Sequence, residues 1–413
     1  MNPGETKLLQ SARWLTFGSA ASILLGIAPS QILLALSLAA LLASGAPMRW
    51  PRIRIALGLF LFGTVLSLAL SDDPAAGLPQ IRKFYVFFEL MIVFSLLGSL
   101  SKLRLLYLTW AGLGAITAIR GCVQFAAKVQ EAHRLGRNFY DFYVGERITG
   151  FTSHWNTYSA EEMFALIMLL SFLFFAPSLR KRLWLWLLCA GLIGLAIVLG
   201  ETRGIWIAVA VAVLYLVWFW KRWMVAIAPV VLVGVFFVAP AALQDRVTSI
   251  FKPKGTDSNQ FRVVTWRTGV RMVQAHPWFG LGPEGPKLHF NEYVPPDVPR
   301  PLPSGWYGHL HNIYLHYAAE RGIPTMLILM WMLIQIIVDF ARGLKSLPPG
   351  PSDRRFLLHG GIAVVLATMA EGIVELNLGD SEVLTMFLVV VASGYAALEK
   401  DAAADEASIV KAA

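Results

Sequence analysis

An all-α polytopic membrane protein is the fold class predicted by three features of this sequence. Of 413 residues, 56% are apolar and 15% charged, and the mean hydropathy is +0.60, which does not fit a surface solvated by water. A helix needs about 20 apolar residues to cross a hydrocarbon core of roughly 30 Å, and about twelve such stretches are present. The third feature is the alternation of the short connecting loops, which are basic on every other turn.

The apolar stretches lie near 8–26, 30–45, 53–70, 79–99, 102–127, 154–176, 181–199, 203–220, 222–241, 322–342, 354–376 and 381–398. The first has no small-residue cleavage site and runs straight into a second apolar stretch, so it reads as a retained helix. One set of loops carries Arg49, Arg52 and Arg54, then Lys102 and Arg104, then Arg180, Lys181 and Arg182, then Lys221 and Arg222, then Arg342, Lys345, Arg354 and Arg355. The alternate set, SDDPAAGLPQ, ETR and NLGD, contains only Arg203. The excess of lysine and arginine puts the first set, with both termini, on the cytoplasmic side.

Two outward segments are long, and long loops translocate largely regardless of charge. Residues 128–153 carry Lys128, Arg134, Arg137 and Arg147, and 242–321 forms a large outward loop. The latter ends in PPDVPRPLPSGW, which excludes regular helix and reads as an extended rope over the surface. The expected organisation is nine spans over 1–241, the loop with short helices at 242–321, three spans over 322–398, and a tail at 399–413.

Several function classes are excluded. Cys122 and Cys189 are the only cysteines and both fall in apolar stretches, which leaves no disulfide framework or thiolate metal cage. No GxSxG, Walker A or CxxC pattern occurs, so hydrolase, P-loop nucleotide and dithiol redox readings lack a motif. The net charge of +9 is divided between two membrane faces and gives no argument for nucleic acid.

Ionisable residues inside spans are costly, so their depth carries information. In the orientation above, Arg82, Lys83, Arg120, Glu161, Glu162, Arg203, Glu371 and Glu375 all fall in the outer halves of their spans, Glu371 and Glu375 one turn apart. Charges gathered on one side predict a cavity open to the outside. A transporter or flippase would spread them through the full depth. Snorkelling at helix ends is the structural alternative for Arg82 and Lys83.

Within the large loop, NQFRVVTWRTGVRMVQA at 259–275 has helical spacing, with Val263, Trp266, Val270 and Val273 on its expected buried face. Arg262 falls at the edge of that face, and Arg267 and Arg271 on the opposite flank. An arginine aimed into a cavity matches phosphate oxygens bidentately; an interfacial helix touching lipid headgroups is the alternative. After the turn-rich HPWFGLGPEG at 276–285 comes GHLHNIYLHYAAERGIP, from 308. His311, Leu315 and Ala318 share one expected helical face, His316 and Glu320 the other. At a helix N-terminus the positive dipole end disfavours imidazolium, so His311 is placed to accept a proton. A histidine satisfied by a neighbouring carbonyl is the alternative, and His309 and His316 are read that way, His316 as a local pair with Glu320. Asp72 with Asp73, and Asp380 with Glu382, are the acidic pairs available for a metal, without a convergent histidine; no metal or other cofactor is expected.

The combination of about twelve spans, ETRG at 201–204, FRVVTWRTG, HPWFGLGPEG and HNIYLHYAAERG resembles the bacterial O-antigen ligase family and the superfamily it shares with the O-antigen polymerases. Its sequence-specific part is confined to 201–322. The resemblance implies a lipid-sugar glycosyltransferase, GT-C-like in architecture, in the bacterial inner membrane with a periplasmic active site. The implied donor is a polysaccharide on undecaprenyl pyrophosphate and the acceptor a hydroxyl of the lipid A–core oligosaccharide, joined without a metal by direct, inverting displacement. Matched residue by residue, the family histidine is His311, followed by Asn312, Glu320 and Gly322; the arginine at a span mouth is Arg203, and the loop arginine is Arg262. The implied roles are general base for His311 and pyrophosphate binding for Arg203 and Arg262. His309 lies outside the motif and leaves open which ring is the base. His309, Asn312, Arg82, Lys83, Arg120 and Arg267 are the expected supporting residues. A polymerase of the same superfamily is the nearest alternative, and a flippase for lipid-linked oligosaccharides the second.

Overall fold

The computed structural model describes residues 7–177, 182–227, 259–303 and 305–399, with Gly234, Phe237, Gln244 and Thr248. The predicted span at 222–241 beyond its first turn, the segment 242–258 apart from two of those single residues, Arg180, Lys181 and the tail from 400 lie outside them.

Among the described residues the chain is helical, without strands. In chain order the helices are α1 (Lys7–Ser22), α2 (Ile27–Ala43), α3 (Arg54–Ala69), α4 (Pro74–Arg82), α5 (Phe88–Leu96), α6 (Leu100–Arg134), α7 (Phe139–Gly145), α8 (Trp155–Phe175), α9 (Leu183–Leu199) and α10 (Arg203–Lys221). They continue with α11 (Asn259–Ala275), α12 (Gly285–Leu288), α13 (Phe290–Tyr293), α14 (Ile313–Ser346), α15 (Asp353–Glu371) and α16 (Ser381–Leu398). Among the described residues five helical stretches are long and apolar enough to cross a membrane: α6, α8, α10 with the 3-10 turn after it, α14 and α16. α2, α3 and α9 are shorter apolar helices. α8, α15 and α16 form the middle of the bundle, buried on nearly every face. α3 packs on α14, and α10 on α15 and α8. Outer faces carry exposed Phe62, Trp184, Leu187 and Trp218, as lipid contact would require.

Three predicted spans take a different form. The stretch 79–99 is broken into α4, a 3-10 turn at Lys83–Phe87, and α5. Pro79 lies inside α4, where it lacks the N–H and crowds the preceding turn, and the α-helix gives way to the 3-10 turn at Lys83. The expected span at 322–342 begins nine residues earlier, at Ile313. Thirty-four residues extend about 50 Å at 1.5 Å per residue, so one end stands clear of a hydrocarbon core of roughly 30 Å. The predicted span 354–376 ends as regular helix at Glu371, and Glu375 sits one turn further on, its N donating to Glu371 O at 3.0 Å.

α14 is kinked at Gly322, whose backbone is at φ 83° and ψ 158°, and Pro324 follows. The kink frees the carbonyls of Ala319 and Glu320, which accept from Leu281 N and Gly282 N at 2.9 Å each, while Ile323 N donates to Pro277 O at 2.8 Å. HPWFGLGPEG is therefore a backbone splint across the break, which keeps freed peptide groups paired. Its glycines permit the approach: a Cβ on Gly280 would lie 2.3 Å from the Glu320 carbonyl carbon.

The bundle has two unlike ends. At one, Arg104 pairs with Asp353, Ser352 N donates to Phe175 O, Arg354 Nε donates to Ala397 O, and Arg49 pairs with Glu399 at 2.7 Å. These basic residues belong to the loops assigned inward. The starts of α8 and α10 and the end of α15 meet at the opposite end, around a cavity.

Candidate active site

That cavity has a volume of about 950 Å³, and Arg203, Arg262 and His311 all line it. Each is aimed there by local sequence. Glu201, in the left-handed region at φ 47°, turns the chain into Thr202, the N-cap, and Arg203, the first residue of α10. Arg203 thus joins a guanidinium to the positive end of a helix dipole, an arrangement suited to an anion. Gly204 follows because a Cβ there would come 2.8 Å from Val374 Cγ2.

Arg262 lies in the first turn of α11. The buried face of this helix differs from the expected one: Phe261, Val264, Thr265, Thr268 and Met272 are buried, whereas Val263 and Val270 are 56% and 46% exposed. Valines occur on both faces, so apolar spacing could not choose between them. Thr265 is accommodated inside by donating to Phe261 O at 2.6 Å, and Gly269 lets Leu310 and Leu315 approach. Arg262 remains at the boundary; its guanidinium lies 3.7 Å from Glu375 Oε2.

His311 precedes α14 and is not on it. Its backbone is in the left-handed region at φ 46°, and Asn312 is the N-cap, its Oδ1 accepting from Leu315 N at 2.9 Å. Asn312 Nδ2 donates to Ile373 O at 2.9 Å and Ile313 N to Gly372 O at 2.7 Å, which lock this segment to the turn after α15. His311 Nδ1 lies 3.1 Å from Glu375 Oε1, and Nε2 lies 3.1 Å from the Trp306 carbonyl. The Glu375 carboxylate can accept from Nδ1–H, while Nε2 faces the Trp306 carbonyl. The neighbouring-carbonyl alternative is thus realised in part.

The choice between the two histidines has a geometric answer. His309 Nδ1 accepts from His311 N at 3.1 Å, which leaves the His309 proton on Nε2, 3.4 Å from Glu375. Burial, against the opposing field of Glu375 and with the help of the neighbouring His311, His316 and Arg262, lowers the His309 ring to about 3. Its one lone pair is already committed, so His309 is the poorer base. Burial acts to raise the Glu375 carboxyl, but the hydrogen bond from His311 and the positive fields of His311, His309 and Arg262 outweigh it and hold the group down at about 2.

The expected supporting residues divide. His309 and Lys83 line the cavity, as do His316 and Glu320, which form the i,i+4 pair at 3.6 Å. Asn312 caps α14. Arg82, Arg120 and Arg267 are not among the lining residues. Arg120 Nε donates to Gly150 O at 2.7 Å, and its guanidinium covers the Phe151 ring. Arg267 makes two bonds of 2.8 Å to Asp297 on the exposed flank, where Arg271 donates to Val294 O. The candidate acidic metal positions act partly as helix caps: Asp73 accepts from Ala76 N and Asp380 from Glu382 N and Val383 N.

Sequence reasoning did not place Arg147, His154, Trp306 or Glu375 in the site, yet all four line the cavity. Their signal was weak. Arg147 was one basic residue among several in its loop, and Glu375 one of several deep charges. His154 caps α8, accepting from Asn156 N on Nδ1 at 3.2 Å, and burial lowers its pKa. Among the described residues His309, His311 and Glu375 are the one set whose donor atoms, within 4.8 Å of one another, could hold a metal ion. The Arg262 guanidinium already brings a positive charge to the same carboxylate, which disfavours a second cation there.

These features define a class: a helical membrane-type protein whose charged end cavity gathers arginines, an imidazole and a carboxylate suited to an anionic substrate. Residues 188–330 match the family model described as O-antigen ligase. Over that segment, which contains Arg203, Arg262 and His311, the chain is similar to the O-antigen ligase family, in line with the resemblance carried by the ETRG, FRVVTWRTG and HNIYLHYAAERG motifs. No curated protein matches the chain.

Proposed function

We propose that this protein is an O-antigen ligase. It transfers a polysaccharide from undecaprenyl pyrophosphate to a hydroxyl of lipid A–core oligosaccharide on the periplasmic side of the bacterial inner membrane. One observation carries the reading: Arg203, Arg262 and His311, drawn from three separate parts of the chain, line a single cavity of about 950 Å³. A new bond forms between the acceptor oxygen and the anomeric carbon. The bond from that carbon to the pyrophosphate oxygen breaks, and the leaving group keeps the electron pair. The acceptor proton passes to His311 Nε2, while Arg203 and Arg262 stabilise charge growing on the pyrophosphate. Pyrophosphate is a good leaving group, so neither a metal nor a general acid is required, and one displacement inverts the anomeric centre. For His311 to act, the acceptor hydroxyl must take the position held by the Trp306 carbonyl and meet an unprotonated Nε2.

The test is a gel of lipopolysaccharide from a deletion strain complemented with variants. His311→Ala and Arg262→Ala should lose polymer attached to lipid A while polymer accumulates on the lipid carrier, with normal amounts of protein in the membrane. A core bearing a single repeat unit in the deletion strain would instead assign the protein as the polymerase, and near-normal attachment by His311→Ala would remove the base.

A further inference from the structure

The base of the proposed reaction has a partner outside the motifs that carry the family resemblance. Glu375 stands 64 residues beyond His311, in the turn after α15, and its carboxylate is 15% exposed. A carboxylate so enclosed is costly unless positive or donating groups surround it. Here His311 Nδ1 lies 3.1 and 3.2 Å from its two oxygens, His309 Nε2 3.4 Å away, the Arg262 guanidinium 3.7 Å away, and Leu376 N donates to Oε1 at 3.1 Å. The turn is rigidly held. Gly372 and Ile373 accept from the backbone and side chain of the His311 segment, and Val374 packs where Gly204, beside Arg203, leaves room.

We infer that Glu375 is the positioning residue of this site: its carboxylate fixes the His311 ring through Nδ1–H and links it to Arg262. The inference rests on the transferase reading. With Nδ1–H committed to the carboxylate, the ring presents Nε2 to the acceptor. When Nε2 takes the hydroxyl proton, the imidazolium forms beside a fixed negative charge, and the proton stays on the ring. Glu375 touches no reacting atom. Arg262 shares the same carboxylate, so the base and one phosphate-binding group keep a set separation.

The experiment uses the full chain in lipid nanodiscs with lipid-linked donor and lipid A–core acceptor. Glu375→Gln should lower kcat about 100-fold or more, the scale of a misoriented general base, with donor KM nearly unchanged; Glu375→Asp should recover part of that loss. In a His311→Ala background Glu375→Gln should cost nothing further, since the two act as one unit. Losses that multiply, or a Glu375→Gln kcat close to wild type, would overturn the assignment. So would loss of transfer on adding a chelator, which would make Glu375 a metal ligand. A readout independent of turnover separates this inference from the transferase reading. In protein carrying ¹⁵N-histidine, His311 Nδ1–H should give a far-downfield proton resonance that Glu375→Gln removes and Glu375→Asp shifts. If wild type transfers nothing but shows this resonance, the transferase reading fails and the pairing stands; if it transfers sugar and the variant keeps the resonance, the pairing fails alone.

Discussion

Gly322 shows how a single residue sets the approach to the cavity. It holds φ 83°, and a Cβ would sit 2.0 Å from the Trp278 carbonyl oxygen, a backbone atom that cannot rotate away. Gly322→Ala combines a left-handed penalty with displacement of the splint over the kink, a cost of about 3 kcal/mol or more. Thermal unfolding in detergent should show a clearly lowered midpoint, whereas Gly112→Ala, with nothing within 4 Å of its Cβ position, should stay near wild type. Equal midpoints would mean that the splint contributes little. The sequence made His311, Arg203 and Arg262 legible at this scale because each stands in a short motif at a predicted helix end. It could not show that the Trp306 carbonyl faces the His311 ring, because a backbone atom leaves no residue-type signature. Glu375 was visible as a charge too costly for its depth, but its partner is not a sequence neighbour.

At the scale of elements, the start of α14 joins His311 to the turn after α15 through Asn312. Its Oδ1 caps the helix and its Nδ2 reaches Ile373 O, so Asn312→Ala removes both with one change. Losing such a cap costs about 1–2 kcal/mol. Hydrogen exchange should quicken at residues 311–315 and spare the far half of α14; unchanged exchange there would mean that Ile313 N to Gly372 O holds the joint unaided. Most helices were legible because apolar runs of sufficient length leave few alternatives in lipid. Their ends were less so. The break inside 79–99 comes at Lys83–Phe87, within a run still rich in Phe and Val that a hydropathy window reads as one span. α14 starts nine residues before its apolar run because helix propensity and a cap continue it into the polar region, where hydropathy has nothing to measure. The face of α11 was misread because a loop helix with valines all round has no single apolar stripe.

Across the whole molecule, charge is sorted by end. Arg49, Arg104, Arg354 and Arg355 gather where α8 and α16 finish and α15 begins, while the cavity residues stand where α8 and α10 begin and α15 finishes. Helix direction alone therefore separates the loops assigned inward from the residues of the candidate site. If the basic end is cytoplasmic, the cavity opens on the side that the proposed transfer from a flipped, lipid-linked polysaccharide requires, and the protruding start of α14 carries His311 beyond the hydrocarbon. Cysteine labelling tests this sidedness. After replacing Cys122 and Cys189 with alanine, Glu292→Cys, near the cavity end, should react with a membrane-impermeant thiol reagent in intact spheroplasts. Pro349→Cys, exposed at the basic end, should react only after the membrane is opened. The reverse pattern would put the site in the cytoplasm, where the lipid-linked polymer is not displayed, and the proposed transfer would lose its substrate even with every distance in the cavity unchanged.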